Sequence, residues 1–334
     1  MNGRARAALG LGAVLLLALV VAPPPGRAQP AHRTPRLGFL SSSSSNPESQ
    51  RLLAAFRRGL GDLGYVEGSS IAIDYRWADL KYERLPRLAA ELVERKVDVI
   101  LAANAPAVEA VRRATSEIPI VTTVLVDPAA AGLVASLSRP GGNVTGLSLV
   151  APEVIGKQLE LLRQMVPALG RVAVLGNSAN PGTGPQLRAV ESAAAAMSVR
   201  IQPIDARAPE DLDRAFASMT TGRADGLIVV VDAMLATERS RIARLAARHR
   251  LPALYGLTSH VTAGGLASYG ADLADLYRRA AVYVDKILKG TKPGDLPVEQ
   301  PTTFELAINT DAARALGLTV PPALMLRADH VVGR

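Results

Sequence analysis

The sequence predicts an α/β protein made of two doubly wound lobes, each built around a parallel β-sheet. Short runs rich in β-branched residues alternate with amphipathic helical segments, and Gly, Pro, Asn or Asp occupy the short connections. This alternation is typical of βαβ units. The strand candidates are too numerous for one lobe, and 334 residues, 49% of them hydrophobic, are enough to form two cores.

The strand candidates follow one another from residue 36 to residue 309. They are RLGFL (36–40), IAIDY (71–75), VDVILA (97–102), IPIVTTV (118–124), VTGLSL (144–149), RVAVLG (171–176), RIQPID (200–205), GLIVVV (226–231), PALYG (252–256), LASYG (266–270) and FELAIN (304–309). The Pro-Gly-Gly turn in LSRPGGNVTG (137–146) stands where a second series of βα units begins. It therefore predicts the first crossing between the lobes.

The first helical segment contains glycines in the spacing of a dinucleotide-binding motif. Gly59, Gly61 and Gly64 fit G-x-G-x-x-G, but that motif holds a pyrophosphate only where it follows a strand and opens a helix. Here the preceding residues 46–63 begin with Asn-Pro-Glu and then place apolar residues every three to four positions, as a helix does. Gly64 is therefore predicted to cap the end of that helix, and no cofactor is expected.

Residues 1–28 are predicted to be a cleavable signal peptide. Arg4 and Arg6 precede the uncharged residues 7–22, and small residues lead up to a cleavage point after Ala28. The apolar run is shorter than the roughly 20 residues that span a bilayer, and an uncleaved anchor is the alternative. Because the chain has no cysteine, it has no lipobox, and we expect a soluble periplasmic protein that is not a lipoprotein.

Composition and motifs argue against nucleic-acid binding and catalysis. The net charge is +8, but Lys and Arg are interspersed with Asp and Glu, and no basic run alternates with aromatic residues. The four histidines lack metal-ligand spacing, and G-x-S-x-G, H-E-x-x-H and G-x-x-x-x-G-K-[ST] are all missing. We expect no catalytic residue, no metal and no nucleic-acid partner; an enzyme with a site of scattered Asp, Ser and Tyr residues is less favoured.

Polar and small residues follow the predicted strands at the edge where open parallel sheets bind ligands. They are Ser41–Ser45 with Asn46, Asn104 with Ala105, Thr122 with Thr123, Asp127, Asn177 with Ser178, Asp232, Tyr255 and Tyr269. Asp127 and Asp232 are candidates to pair with a ligand ammonium, and the alternative role of each is a helix cap. Tyr255 and Tyr269 are candidates to stack on an aromatic ligand, whereas Trp77 is expected more often to pack between sheet and helix.

Several longer segments between Arg36 and Asp329 are similar to segments of a known protein family. They are AFRRGLGDLGYVEG (55–68), IPIVTTVLVDPAAAGLVASLSRPGGNVTGLS (118–148), LPALYG (251–256), GGLASYG (264–270) and the highly specific block from residue 278 to residue 329. These segments resemble the ABC-transporter substrate-binding proteins related to the tryptophan/tyrosine-binding protein of bacterial uptake operons. The resemblance implies a type I periplasmic-binding fold, with two lobes joined by a three-strand hinge and a ligand cleft that closes on binding.

The same resemblance implies lobe boundaries and a site. Lobe 1 is expected to comprise residues 36–146 and 266–298, and lobe 2 residues 147–265 and 299–334. The ligand-binding positions that carry over are Ser42, Ser43, Ser44, Asn104, Ala105, Thr122, Thr123, Asp127, Asn177, Asp232 and Tyr269. Many relatives place a small hydroxyl residue or glycine before the proline where this chain has Asn104-Ala105, so the identity of the ligand does not follow.

These observations predict a receptor that traps a small amino-acid-like ligand and delivers it to an ABC permease in the inner membrane. A periplasmic sensor that reports to a membrane receptor is the alternative, and an enzyme on a two-lobed scaffold is a weaker one. Sugar-responsive repressors have related folds. However, the region before Arg36 is predicted to be a signal peptide and has no helix-turn-helix, which argues against DNA binding.

Overall fold

A computed structural model describes residues 33–129, 131–150 and 152–333. The predicted signal peptide of residues 1–28 lies outside the described residues. Two parallel-sheet α/β lobes are present, so the predicted fold class is confirmed.

The first lobe contains a five-stranded sheet in which every pairing is parallel. Its strands are β1 (Arg36–Ser41), β2 (Ala72–Trp77), β3 (Val99–Ala102), β4 (Ile120–Val126) and β5 (Val144–Val150). Its intervening helices are α1 (Pro47–Asp62), α2 (Leu85–Glu94) and α3 (Ala105–Ala114). The strand order β2-β1-β3-β4-β5 brings the ends of β1, β3 and β4 side by side in the middle of the sheet.

The second lobe contains a seven-stranded sheet in the order β12-β11-β10-β9-β8-β6-β7. Its strands are β6 (Arg171–Gly176), β7 (Arg200–Asp205), β8 (Gly226–Val229), β9 (Ala253–Tyr255), β10 (Ala267–Ala271), β11 (Phe304–Asn309) and β12 (His330–Val332). The remaining helices are α4 (Pro152–Met165), α5 (Thr183–Ala196), α6 (Leu212–Thr221), α7 (Ala233–Thr237), α8 (Arg239–Arg248), α9 (Thr258–Thr262), α10 (Leu273–Leu288), α11 (Thr310–Ala315) and α12 (Pro322–Met325). Only β10 and β11 pair antiparallel among the described strands.

Each predicted strand is present, and β12 is the addition. It has three residues and pairs with β11 at the edge of the second sheet. A run this short carries no alternation from which a strand can be recognised, so only its pairing with β11 defines it.

The chain passes between the two sheets three times. It crosses after β5, again between β10 and α10, and a third time between α10 and β11. The third crossing runs beside β5, where the Ser148 amide donates to the Glu299 carbonyl at 2.8 Å and the Thr145 hydroxyl donates to the Leu296 carbonyl at 2.6 Å.

The crossings fall a few residues away from the expected lobe boundaries. The expectation places residues 266–271 in lobe 1, whereas β10 pairs with β9 and β11 in the second sheet. It also starts lobe 2 at residue 147, whereas β5 continues along β4 to Val150. Strand pairing, rather than the position of the turns, decides where the chain changes lobe.

Helix α10 belongs to the first lobe by packing, although it follows a strand of the second sheet. It lies against α1 and against β3, β4 and β5. Gly59 of α1 lies at the closest approach, because a Cβ atom there would collide with the Arg278 carbonyl of α10. This glycine of the G-x-G-x-x-G spacing thus permits helix packing.

The end of α1 confirms the predicted glycine cap. Gly64 follows the last turn with a φ of 88°, in the left-handed region that favours glycine. Its amide donates to the Gly61 carbonyl at 3.0 Å, and the amide of Tyr65 donates to the Leu60 carbonyl at 2.9 Å. This is the hydrogen-bond pattern of a Schellman motif.

Candidate functional site

A cleft lies between the carboxyl ends of the strands of the two sheets. Lobe 1 contributes Ser41, Ser42, Ser43, Asn46, Glu48, Ser49, Leu52, Trp77, Ala103, Asn104, Ala105, Val124 and Val126; lobe 2 contributes Asn180, Gly182, Gln186, Val231, Asp232, Ala233, Ala236, Thr237, Arg239, Leu257 and Ser259; and α10 contributes Leu273 and Tyr277. Its cavity volume of about 110 Å³ is several times the roughly 10–15 Å³ that one water requires. The cleft therefore has room for a small organic molecule.

The serine loop after β1 forms one wall of the cleft. Ser42 is completely buried, and its hydroxyl makes no hydrogen bond of normal geometry among the described residues, although it lies near the Tyr82 phenol. The Ser43 hydroxyl lies 3.3 Å from that of Ser49. Asn46 caps α1, because its side-chain oxygen accepts from the Ser49 amide at 2.9 Å. A buried hydroxyl without a partner is costly, and a polar ligand group would satisfy it.

Asp232 is the most heavily hydrogen-bonded side chain of the cleft. It follows β8, is 3% exposed, and caps the short helix α7. Its Oδ1 accepts from the amides of Met234 at 2.8 Å and Leu235 at 3.0 Å, and its Oδ2 accepts from Asn180 at 2.9 Å, Tyr82 at 3.0 Å and Asn177 at 3.4 Å. Protein donors thus already engage both carboxylate oxygens.

One of those donors comes from the opposite lobe. Tyr82 lies on the turn between β2 and α2, so its bond to Asp232 spans the cleft. Burial, and then the negative charge of Asp232, raise the pKa of the Tyr82 phenol well above its usual value. The phenol therefore stays protonated and remains a donor.

Two other charged side chains line the cleft. The carboxylate of Glu48 accepts two hydrogen bonds from Arg51, at 2.8 and 3.3 Å. Arg239 donates to the Ala236 carbonyl at 3.0 Å and has no carboxylate partner among the described residues. The rest of the lining is uncharged and combines small polar side chains with apolar ones.

The aromatic residues of the cleft are Trp77 and Tyr277. Trp77 packs on Phe39, with ring centroids 4.9 Å apart, so it has the expected packing role and also lines the cleft. Tyr277 lies on α10, and burial raises the pKa of its phenol to about 12. Both rings add apolar surface suited to an apolar or aromatic ligand group.

Seven of the residues predicted from the sequence line the cleft: Ser41, Ser42, Ser43, Asn46, Asn104, Ala105 and Asp232. Five of them, all except Ser41 and Asn46, are also ligand-binding positions implied by the resemblance. Asn104 caps α3, since its side-chain oxygen accepts from the Ala107 amide at 3.3 Å.

The other predicted residues of lobe 1 lie outside the cleft lining. Ser44 points its carbonyl at the Asn46 amide. Thr122 and Thr123 are buried within β4, where the Thr123 hydroxyl donates to the Ala103 carbonyl at 3.1 Å. Asp127 follows β4 with a φ of 40°, and its carbonyl begins the next turn by accepting from the Ala131 amide.

In lobe 2, three predicted residues also lie outside the lining. The side-chain amide of Asn177 donates to Oδ2 of Asp232 at 3.4 Å, as described above. Tyr255 is completely buried and stacks on His260 with ring centroids 4.7 Å apart. Tyr269 stacks on Phe304, and its carbonyl accepts from the Gln158 side chain at 2.7 Å.

Several lining residues have no counterpart among the residues predicted from the sequence. Arg239 and Glu48 lie in the first turns of α8 and α1, and Tyr277 lies in the second turn of α10. A signal existed for Glu48, because the first turn of a helix that follows a strand faces the ligand edge. Tyr277 belongs to a helix whose preceding strand is in the other lobe, so no local pattern marks it.

The described ranges contain no cluster of three His, Asp or Glu side chains that is able to hold a metal ion. Nor do they include a helix of the length and apolarity needed to cross a membrane.

Two lobes, three crossings and a polar-edged cleft between the sheets define a two-lobed ligand-binding protein of the type I periplasmic-binding fold. The sequence model of the family "ABC transporter substrate binding protein" matches residues 44–332, and the chain belongs to this family. The family resemblance noted in the sequence is thereby confirmed.

Comparisons with known proteins agree with this assignment. The chain is 29% identical over 279 residues to a tyrosine-binding protein of Clostridioides difficile (strain R20291), covering 84% of this chain and 80% of that protein. It is similar to the ABC domain from Streptococcus pneumonia in complex with L-Trp, with a TM-score of 0.84 and 25% identity. It is also similar to the ligand-free, open structure of CD0873, a substrate binding protein with adhesive properties from Clostridium difficile, with a TM-score of 0.66 and 26% identity. Each structure is matched over 90% of this chain and all of the other.

Proposed function

We propose that this protein is a periplasmic receptor that binds a small amino-acid-like ligand and delivers it to an ABC permease in the inner membrane. The buried hydroxyl of Ser42, a residue that lines the cleft between two lobes, makes no hydrogen bond of normal geometry among the described residues, and this observation carries the proposal. Relatives that bind tyrosine or L-Trp support an amino-acid-like ligand. In this proposal residues 1–28 direct export and are removed.

We propose that the predicted site residues that line the cleft contact the ligand. Ser42, Ser43, Asn104 and Ala105 lie where α1 and α3 begin, so nearby amides and hydroxyls are available to polar ligand groups. Trp77 offers an aromatic surface for the apolar part of the ligand. Asp232 acts mainly by holding α7 and the opposite lobe in place, because its oxygens are already engaged.

Closure of the lobes around the ligand is part of the proposal. The two solved relatives have almost the same identity to this chain, but the TM-score is 0.84 for the L-Trp complex and 0.66 for the ligand-free, open structure. Because both relatives are about equally similar to this chain in sequence, we attribute the difference between the two TM-scores to the arrangement of the lobes. This favours an arrangement of the lobes in this protein like that in the L-Trp complex. The Tyr82–Asp232 bond across the cleft also favours a closed form.

Thermal unfolding of residues 29–334, refolded to remove bound ligand, tests the proposal against amino acids, small peptides, nucleosides and carboxylates. A ligand at 100 times its dissociation constant adds about 2.7 kcal/mol to the free energy of unfolding and raises the midpoint. We expect an amino acid to do so, and mass spectrometry to recover it unchanged. Stabilisation by a nucleoside alone, or conversion of the bound molecule, would contradict the proposed role.

A matched pair of variants connects that result to the cleft. Ser42→Ala removes the buried hydroxyl and is expected to weaken ligand binding about 5-fold or more, as expected for loss of one hydrogen bond. Ser45→Ala, in the same loop but exposed, is expected to bind as the wild type does. Equal affinity of both variants would remove Ser42 from the site.

A further inference from the structure

We infer that the cleft binds the carboxylate of its ligand through Arg239 and offers the ligand's amino group no free charged partner among the described residues. The ligand class is then an apolar or aromatic carboxylate, and its amino group is dispensable. This inference rests on the proposed function and narrows the chemistry of the same cleft.

The inference depends on which charged side chains of the cleft still have hydrogen-bonding atoms available. Three charged side chains line the cleft: Glu48, Asp232 and Arg239. Arg51 already neutralises Glu48 with two hydrogen bonds. Both oxygens of Asp232 accept hydrogen bonds from the protein, including two backbone amides that need a cap. Neither carboxylate is therefore free to meet a ligand ammonium.

Arg239 differs from both carboxylates. It is the first residue of α8 and half-buried, and it uses one guanidinium nitrogen to bind the Ala236 carbonyl at 3.0 Å. Among the described residues its hydrogen-bond partner is that carbonyl, and no carboxylate forms an ion pair with it. A guanidinium has five N–H donors in a planar arrangement that matches a carboxylate. Asp232 has no cationic partner in the described ranges either, but both of its oxygens already accept hydrogen bonds, so Arg239 is the charged group of the lining that has hydrogen-bonding atoms left for a ligand.

The side chains around Arg239 suit a ligand in which a carboxylate is attached to an apolar group. Leu52 and Trp77 from lobe 1 and Leu257 from lobe 2 line the same cavity as Arg239. A ligand with an anionic end and an apolar body would place each part against a matching surface. A ligand ammonium would instead have to displace one of the donors from Asp232, which leaves that buried donor without its acceptor.

Isothermal titration calorimetry of the wild-type protein with three matched molecules tests this directly. L-tryptophan, indole-3-propionate and tryptamine share the ring and differ in the amino and carboxylate groups; L-tyrosine, 3-(4-hydroxyphenyl)propionate and tyramine form a second set. We expect loss of the amino group to change the affinity less than about 5-fold. Loss of the carboxylate should weaken binding at least about 10-fold, as expected for hydrogen bonds to a charged group.

The two sets separate failure of this inference from failure of the proposed function. If an amine binds as tightly as its amino acid, or the amino acid binds far more tightly than its deaminated acid, the inference is overturned and the receptor role stands. If no member of either set binds while an unrelated solute does, both the amino-acid-like ligand and the inference are overturned.

Variants of α8 assign the effect to one side chain. Arg239→Gln is expected to weaken the binding of L-tryptophan and of indole-3-propionate at least about 10-fold. It should leave the binding of tryptamine, which has no carboxylate, unchanged. Arg244→Gln makes the same charge change at an exposed position of the same helix and should bind all three as the wild type does. Unchanged binding of both acids by a folded Arg239→Gln protein would overturn the inference, and the wild-type series decides it if that variant does not fold.

Discussion

The hydroxyl of Tyr82 donates a 3.0 Å hydrogen bond to Oδ2 of Asp232, and this bond joins the two lobes across the cleft. The donor lies in the connection between β2 and α2, and the acceptor caps α7 at the end of β8. Because the other four donors to Asp232 come from its own lobe, separation of the lobes breaks this one bond and leaves the rest intact.

In the proposed closure, removal of the Tyr82 hydroxyl should therefore shift the protein towards an open form. We expect Tyr82→Phe to weaken ligand binding about 5-fold, mainly through faster dissociation, because a closed form without this bond opens more readily. Stopped-flow fluorescence of Trp77, the single tryptophan, measures both rates. Tyr65→Phe is the control, since Tyr65 donates a similar bond to Asp285 within lobe 1. Identical dissociation rates for the two variants would contradict an interlobe role.

Asp232 is also expected to matter for stability. Asp232→Ala leaves two buried amide side chains, two backbone amides and the Tyr82 hydroxyl without their acceptor, and should lower the free energy of unfolding by about 3 kcal/mol. Asp272→Ala removes a cap that accepts from one backbone amide, that of Ala274, and should cost about 1 kcal/mol. Urea denaturation compares them, and equal losses would show that the hydrogen bonds beyond the helix cap contribute nothing.

The glycines of α1 should respond in opposite ways to the same substitution. Gly59→Ala places a methyl group against the Arg278 carbonyl and should destabilise the protein by about 1–3 kcal/mol. Gly61→Ala has no neighbouring atom to meet and should be neutral or stabilising by up to about 1 kcal/mol. Thermal midpoints of the two variants measure this. A stable Gly59→Ala protein would refute the close packing of α1 on α10.

His260 should make the protein sensitive to acid. Burial, reinforced by the charge of Arg239, lowers the pKa of its imidazole to about 4. The unfolded chain, with a pKa near 6.5, binds more protons than the folded one between these values, so stability is complete above about pH 6.5 and falls towards pH 4.

The expected loss from this histidine between pH 7 and pH 5 is about 2 kcal/mol. His260→Phe keeps a ring against Tyr255 and should lose that much less stability over the same interval in urea unfolding. The same pH dependence in both proteins would assign the acid sensitivity to other groups.

The sequence was informative about the fold because both its strands and its helix ends are local signals. Strand runs at 36–40 and 226–231, and the cap at Gly64, can be recognised from a few neighbouring residues. The lobe to which a segment belongs is not a local property. Residues 267–271 and α10 are adjacent in sequence, but they pack on different sheets, and only long-range pairing decides this.

The rule that ligands bind at the carboxyl ends of strands correctly predicted which loops border the cleft. It did not predict which side chains of those strands point towards it. It located Ser42 and Asp232 beside the cavity. It also selected Tyr255, which lies outside the cleft lining because side chains alternate along a strand and this one faces the core beside His260. The rule could not predict Arg239, because it applies to segments that follow a strand, and α8 follows the helix α7.

The packing of α10 on α1 has a consequence for biosynthesis. A ribosome that has released the chain only as far as β5 has produced all strands of the first sheet, but not the helix that lies against three of them. The first lobe lacks α10 until Leu288 has emerged, after most of the chain has been translated. A nascent chain of this design therefore stays incompletely folded until late, and a chain in that state can still be threaded through a narrow channel.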